Sequence, residues 1–289
     1  MTKRAVIITT SILAGLIMIV TILFGVVFRV RDIQIVCDDE FYYTAQIDDI
    51  LLSSKLKKNV SIFDIDRKKI STNIETNYPY ARVQGINLDS FTKIKISLGN
   101  RTPLYYFVEN EICFILDEDC KVLEKVTLQE YNDNNYKYIL LNNVFSADED
   151  IVPGHFIDGK YASICDDLYN ALYSSAMIEK DDGEGGFKAT YLDREDMCDF
   201  ISGIAFNQSY ELKGKVDNLI ITTSFGVKMS IIEPQNNLND KINMAFSAFR
   251  VLQQRDRANG SALTQAGSIN VIYTYDANKN ASTVCEYRA

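Results

Sequence analysis

The stretch KNVSIFDIDRKKISTNIETNYPYARVQGINLDSFTKIKISLGNRTP, residues 58–103, changes its hydrophobic period partway along. Ile70 and Ile74 stand four apart behind Asp66, as on the first turns of a helix whose N-terminal amides a carboxylate caps. Pro79 ends that helix, because the residue before a proline is pushed out of the helical region. Residues 80–88 and 92–98 then read as two strands. In the second, Ile94, Ile96 and Leu98 alternate with Lys93, Lys95 and Ser97, the pattern of a sheet with one wet face.

Working outward toward the N-terminus, Thr44 is expected to cap another helix that carries Ile47, Ile50, Leu51 and Leu56 on one face. Before it, residues 30–37 (VRDIQIVC) alternate as a strand. The order is therefore strand, helix, helix, strand, strand. In front of this unit, residues 5–28 (AVIITTSILAGLIMIVTILFGVVF) carry no charge, and about 20 apolar residues suffice to cross a bilayer. A transmembrane helix is expected over 5–28 behind a short tail at 1–4. It is an uncleaved anchor, because its apolar run is longer than a leader's and no small-residue cleavage site follows.

Toward the C-terminus, short strands are expected at 104–108, 112–116 and 121–126, with Asp117, Glu118 and Asp119 as a solvated hairpin turn. An apolar run follows at 138–144. A helix is suggested by Tyr161, Ile164, Cys165, Leu168 and Leu172 at helical spacing, and a mobile loop by residues 180–186 (KDDGEGG). Residues 219–223 and 227–232 form a hairpin pattern. A helix then presents Ile242, Ala245, Phe246, Phe249 and Leu252 on one face, 255–267 breaks it, and the last strand covers 269–275. Helices interspersed with antiparallel hairpins place the fold in the α+β class.

Composition narrows the function. The 289 residues, 47% of them hydrophobic, can bury a core. With 30 basic against 39 acidic residues the net charge is −9, which argues against a nucleic-acid surface. A single histidine, His155, rules out sites built on several imidazoles. The six cysteines, Cys37, Cys113, Cys120, Cys165, Cys198 and Cys285, include no C-x-x-C pair, so no metal site is expected. Their even number permits disulfides outside the cytoplasm, and small buried thiols are an equally good reading. There is no G-x-S-x-G, no H-E-x-x-H and no Gly-rich phosphate loop, so neither a catalytic residue nor a cofactor is expected.

Residues 30–103 resemble the POTRA domain of the bacterial FtsQ/DivIB cell-division family. The resemblance lies in the run 58–66 (KNVSIFDID), in Ile70, Ile74, Glu75, Tyr78, Pro79, Tyr80 and Val83, and in Arg101-Thr102-Pro103, similar to that family's Arg-x-Pro. Ile115-Leu116-Asp117 followed by Val122-Leu123 resembles the hairpin that opens the family's larger β domain. Asn100 stands where a glutamate commonly precedes the arginine, and Cys120 where glycine usually sits. The resemblance implies a POTRA-like domain at 29–103, a β domain at 104–276 and a tail at 277–289.

It further implies a non-catalytic divisome scaffold, single-pass in the cell membrane through residues 5–28, with a cytoplasmic N-terminus and the remainder extracytoplasmic at the division septum. Its partners would be FtsB/DivIC-like and FtsL-like single-span proteins, bound by the C-terminal part of the β domain. Strand addition to a sheet edge is the expected mode, with Asn270, Val271, Ile272, Tyr273, Thr274 and Tyr275 as the edge and Tyr273 and Tyr275 on one side of it. Two alternatives stay open. One is an anchored enzyme using two carboxylates on a cell-wall or glycan substrate. The other is a eukaryotic type II lumenal protein, since Asn59, Asn100, Asn207, Asn259 and Asn280 each begin an N-x-S/T pattern.

Overall fold

The structure is a computed structural model and describes residues 3–22, 25, 27–143, 151–157, 162–211, 214–260, 267–275 and 281–288. The chain is α+β with many antiparallel strands, and it divides into two compact units, Met1–Arg101 and Thr102–Ala289.

The first unit begins with α1 (Lys3–Ile22). Here the expectation of a membrane span over 5–28, and with it the single-pass cell-membrane placement, is corrected: among the described residues no helix is long and apolar enough to cross a membrane. α1 opens on Lys3 and Arg4 and is described as far as Ile22. Ile12, Leu16 and Ile19 on it are exposed.

The remainder of this unit runs β1 (Asp32–Cys37), α2 (Ile47–Ser53), α3 (Arg67–Asn77), β2 (Ala81–Ser90) and β3 (Lys93–Asn100). β3 is central, parallel to β1 and antiparallel to β2. Its alternation is visible in burial: Ile94, Ile96 and Leu98 are fully buried and pack with Ile50, Ile70, Ile74, Phe41 and Ala81. Asp66 caps α3 as expected, its carboxylate accepting from the Lys69 N–H at 3.0 Å. Thr44 does not cap α2. It opens a 3-10 turn (Thr44–Gln46), its hydroxyl donates backward to the Phe41 carbonyl, and Gln46 precedes α2 without a side-chain cap.

Two residues of the Pro79-flanking pattern meet in this core. The Arg101 guanidinium bonds Glu75 Oε2 at 2.9 Å, while Glu75 Oε1 accepts from the Val83 N–H at 2.8 Å. Both side chains are nearly buried, so this pair ties α3 to β2 and to the end of the unit. Asn100 closes the neighbouring loop: its Nδ2 donates to the Glu40 carbonyl and its Oδ1 accepts from the Tyr42 N–H.

The second unit holds β4 (Tyr105–Glu109), β5 (Ile112–Leu116), β6 (Val122–Thr127), α4 (Leu128–Asp133), β7 (Ile139–Asn142), α5 (Ala162–Ser175), β8 (Met177–Asp181), β9 (Phe187–Tyr191), α6 (Arg194–Phe200), β10 (Ile201–Glu211), β11 (Gly214–Thr223), β12 (Lys228–Ile232), α7 (Leu238–Ala258), β13 (Ser268–Tyr275) and β14 (Ala281–Arg288). Nine strands form one sheet in the order β14-β13-β12-β11-β10-β7-β4-β5-β6. Its apolar residues, among them Ile204, Phe206, Ile221, Met229, Ile231 and Val271, share a core with Ile242, Phe246 and Phe249 of α7 and Leu168 and Leu172 of α5. α7 buries the stripe expected for it and continues through 255–258, where a break was expected. Tyr161 and Val144, expected in a helix and a strand, lie outside the described residues.

Of residues 180–186, expected as a mobile loop, 180–181 end β8 and 182–186 form the loop that joins it to β9 in a hairpin. Asp182 Oδ1 accepts from the N–H groups of Glu184 and Gly186, an Asx-type closure that apolar periodicity cannot reveal. α7 holds the hairpin from beneath, with Arg257 bonding Glu179 Oε2 at 3.2 Å and standing over the Phe187 ring.

Removing one partner of the Glu75–Arg101 pair leaves the other charge buried and uncompensated. Glu75→Ala is expected to destabilise the protein by about 3–5 kcal/mol in urea unfolding. A loss below about 1 kcal/mol would show that the pair does not organise this core.

Candidate functional site

The sheet has two edge strands, and they differ. At the start of β6 the chain covers its own edge. The Val122 N–H donates to the His155 carbonyl at 2.9 Å, the Gly154 N–H donates to the Val122 carbonyl at 2.8 Å, and Lys121 bridges Phe156. His155 serves here through its backbone, and its side chain is exposed. At the far end β14 has one strand neighbour, β13, in antiparallel register from Ser268↔Arg288 to Tyr275↔Ala281.

The expected edge is thereby corrected. Asn270, Val271, Ile272, Tyr273, Thr274 and Tyr275 lie in β13, which pairs in parallel with β12 on one side and antiparallel with β14 on the other. Val271 is fully buried and Ile272 partly so; the side chains of Tyr273 and Tyr275 lie outside the described residues. The segment expected as a tail, 277–289, contains β14. Its sequence, ASTVCEYR, has weak apolar alternation because an edge strand buries one side only. Pairing with β13 makes it a strand.

Within β14, Cys285 and Tyr287 pack against the core, and Arg255 of α7 stands over the Tyr287 ring at 5.7 Å. Burial pushes the Cys285 thiol above its ordinary pKa, with a smaller contribution from Glu286. Ser282, Val284, Glu286 and Arg288 alternate onto the opposite face, where Glu286 and Arg288 form a surface ion pair at 3.2 Å. Charged residues on an edge hold off unselective pairing while leaving the backbone accessible to a matched strand.

A second polar group lies inside this unit, at the β5–β6 turn. The turn expected to be solvated is interior: Asp117 is 0% exposed and Lys121 1%. Asp117 Oδ1 accepts from the N–H groups of Asp119 and Lys121, Lys121 Nζ lies 5.3 Å from the Phe156 ring, and Glu118 pairs with Arg194 at 3.6 Å. Arg194 also donates to the carbonyls of Thr102 and Pro103. These carboxylates are engaged in holding the turn and the entry to β4, a structural arrangement rather than a pair facing a substrate cleft. Among the described residues no three His, Cys, Asp or Glu side chains are grouped to hold a metal ion.

Tyr105 is fully buried, and its hydroxyl has no hydrogen-bond partner among the described residues. Burial, with the thiols of Cys165 and Cys120 adding to it, holds its phenol well above the ordinary tyrosine range. Of the glycosylation-pattern residues, Asn100 uses its amide nitrogen on Glu40, and Asn280 lies outside the described residues.

No family model matches this chain, and no curated protein does.

Two outcomes follow from the geometry. Because the Tyr105 hydroxyl is desolvated without a partner, Tyr105→Phe is expected to stabilise the protein by about 1 kcal/mol in urea unfolding; destabilisation would reveal a bonded hydroxyl. In an antiparallel edge strand, alternate N–H groups point to the neighbour and to solvent. Of Val284→Pro and Cys285→Pro, one therefore should cost a ladder bond, about 1 kcal/mol or more, and the other should leave that ladder intact. Equal unfolding midpoints for both variants and the parent would mean that β14 does not pair as described.

Proposed function

We propose that this protein is a non-catalytic scaffold that binds other proteins by strand addition to β14, and that it acts in assembling the cell-division machinery. The observation that carries the binding mode is the asymmetry of the nine-stranded sheet: the start of β6 is covered by residues 154–156, whereas among the described residues β14 has a strand on one side only. A partner strand laid along β14 would gain backbone hydrogen bonds, and the pockets beside alternate side chains would select it. The division role rests on the resemblance of residues 30–103 to the FtsQ/DivIB family, and the strand-helix-helix-strand-strand order of the first unit supports it. On this reading the partners are of the FtsB/DivIC and FtsL type. Membrane anchoring forms no part of the proposal.

The test is co-purification of such partners with the full chain, with a chain ending at Tyr275, and with whichever of Val284→Pro and Cys285→Pro retains parental stability. Binding to the full chain and its loss in both variants is the expected result. Binding that survives the stable proline variant would remove β14 as the docking edge, and absence of these partners from the full chain would remove the division role.

A further inference from the structure

In the first unit, the loop between α2 and α3 and the first turns of α3 line a cavity of about 330 Å³, within the size range of ligand pockets. Leu56, Ile65 and Ile70 give it an apolar wall, each buried or half-buried. Hydrogen bonds to the buried Ser54 hold that wall in place: its hydroxyl oxygen accepts from the Leu56 N–H at 3.1 Å, and its carbonyl accepts from Asn73 Nδ2 at 3.4 Å. Lys55, Lys57 and Lys69 border the same cavity and are exposed. Residues 55–69 carry six basic side chains against two acidic ones, in a chain that has 30 against 39. Both of those acids, Asp64 and Asp66, also line the cavity. Asp66 is engaged as the cap of α3, and among the described residues no carboxylate pairs with the ammonium groups of Lys55, Lys57 or Lys69. Lys55 ends α2 with φ +56°, its N–H donating to the Leu52 carbonyl at 3.2 Å. Glycine takes that left-handed conformation without strain, so a lysine stands where glycine would ease the turn.

We propose that this cleft docks an acidic segment of a partner protein, one large apolar side chain of which enters the cavity while flanking Asp or Glu residues meet Lys55, Lys57 and Lys69. The apolar wall accounts for the side chain, and the excess of ammonium groups accounts for the carboxylates. A free phosphate fits less well. It would use the amides at the start of α3, and the Asp66 carboxylate already accepts from the Lys69 N–H there. The wall is fixed before the partner arrives, which lowers the ordering cost of binding. This site does not rest on strand addition at β14.

The experiment titrates the full chain into fluorescein-labelled peptides, capped at both ends, that carry Leu, Phe or Met at the centre and glutamates on either side, and reads their anisotropy. Saturable binding of at least one peptide, weakening as salt rises, is expected. Replacing its central residue by serine, or its glutamates by lysines, should abolish binding. Lys55→Glu and Lys69→Glu should each weaken it on the order of 5-fold, while Lys188→Glu, an exposed position in β9, should leave it unchanged. Lys55→Gly separates docking from folding, because it eases the left-handed turn: its unfolding midpoint in urea should rise while the peptide binds more weakly. Failure of all three peptides to bind, or binding indifferent to Lys55→Glu and Lys69→Glu, overturns the proposal. Binding of inorganic phosphate or of phosphatidylserine vesicles with that same sensitivity, and no binding of the peptides, overturns it too and makes the cleft an anion or lipid site.

Discussion

Burial of the apolar face of the nine-stranded sheet is the constraint on which the second unit depends. A pleated sheet alternates its side chains, so the strands that place Phe206, Ile221, Met229 and Val271 inward must be covered by something equally apolar. α7 and α5 supply that cover through Phe246, Phe249, Leu168 and Leu172. Once the helices sit on that face, the register of each strand is set, because a slip by one residue would exchange its apolar and polar faces. The backbone can then extend only at the two edges, and the chain itself treats these unequally.

That inequality joins structure to the proposed role. Residues 154–156 occupy the backbone groups at the start of β6, while among the described residues β14 has β13 as its single strand neighbour. A scaffold needs a surface that recognises without transforming, and a sheet edge does this with groups every residue carries. The polar side chains in the interior serve other ends. Asp117 organises a turn, Glu118 and Arg194 tie it to the entry of β4, and Glu75 with Arg101 joins α3 to the close of the first unit. Each of these charges meets an opposite charge or a backbone N–H, which is the condition under which such groups are tolerated inside a protein.

The β5–β6 turn shows how one position can carry several constraints. Its tightness requires a left-handed residue, and its burial requires that every backbone group be bonded. Cys120 meets the first at some conformational cost.

By itself the sequence determined what depends on local period and local chemistry. The spacing of Ile70 and Ile74 behind Asp66, the alternation through Ile94, Ile96 and Leu98, and the stripe from Ile242 to Leu252 each specify an element and its buried face, because both properties repeat within one segment. The tertiary structure decided what depends on neighbours remote in the chain. β14 is a strand because β13 lies beside it, and β13 is interior for the same reason. The acidic turn is buried because Arg194 and the N–H groups of Asp119 and Lys121 meet its charges there. For the apolar run at 5–28, hydropathy alone suggested a membrane span, whereas among the described residues no helix is long and apolar enough to cross a membrane. Edge and burial are relations between segments, and a single sequence records them only indirectly.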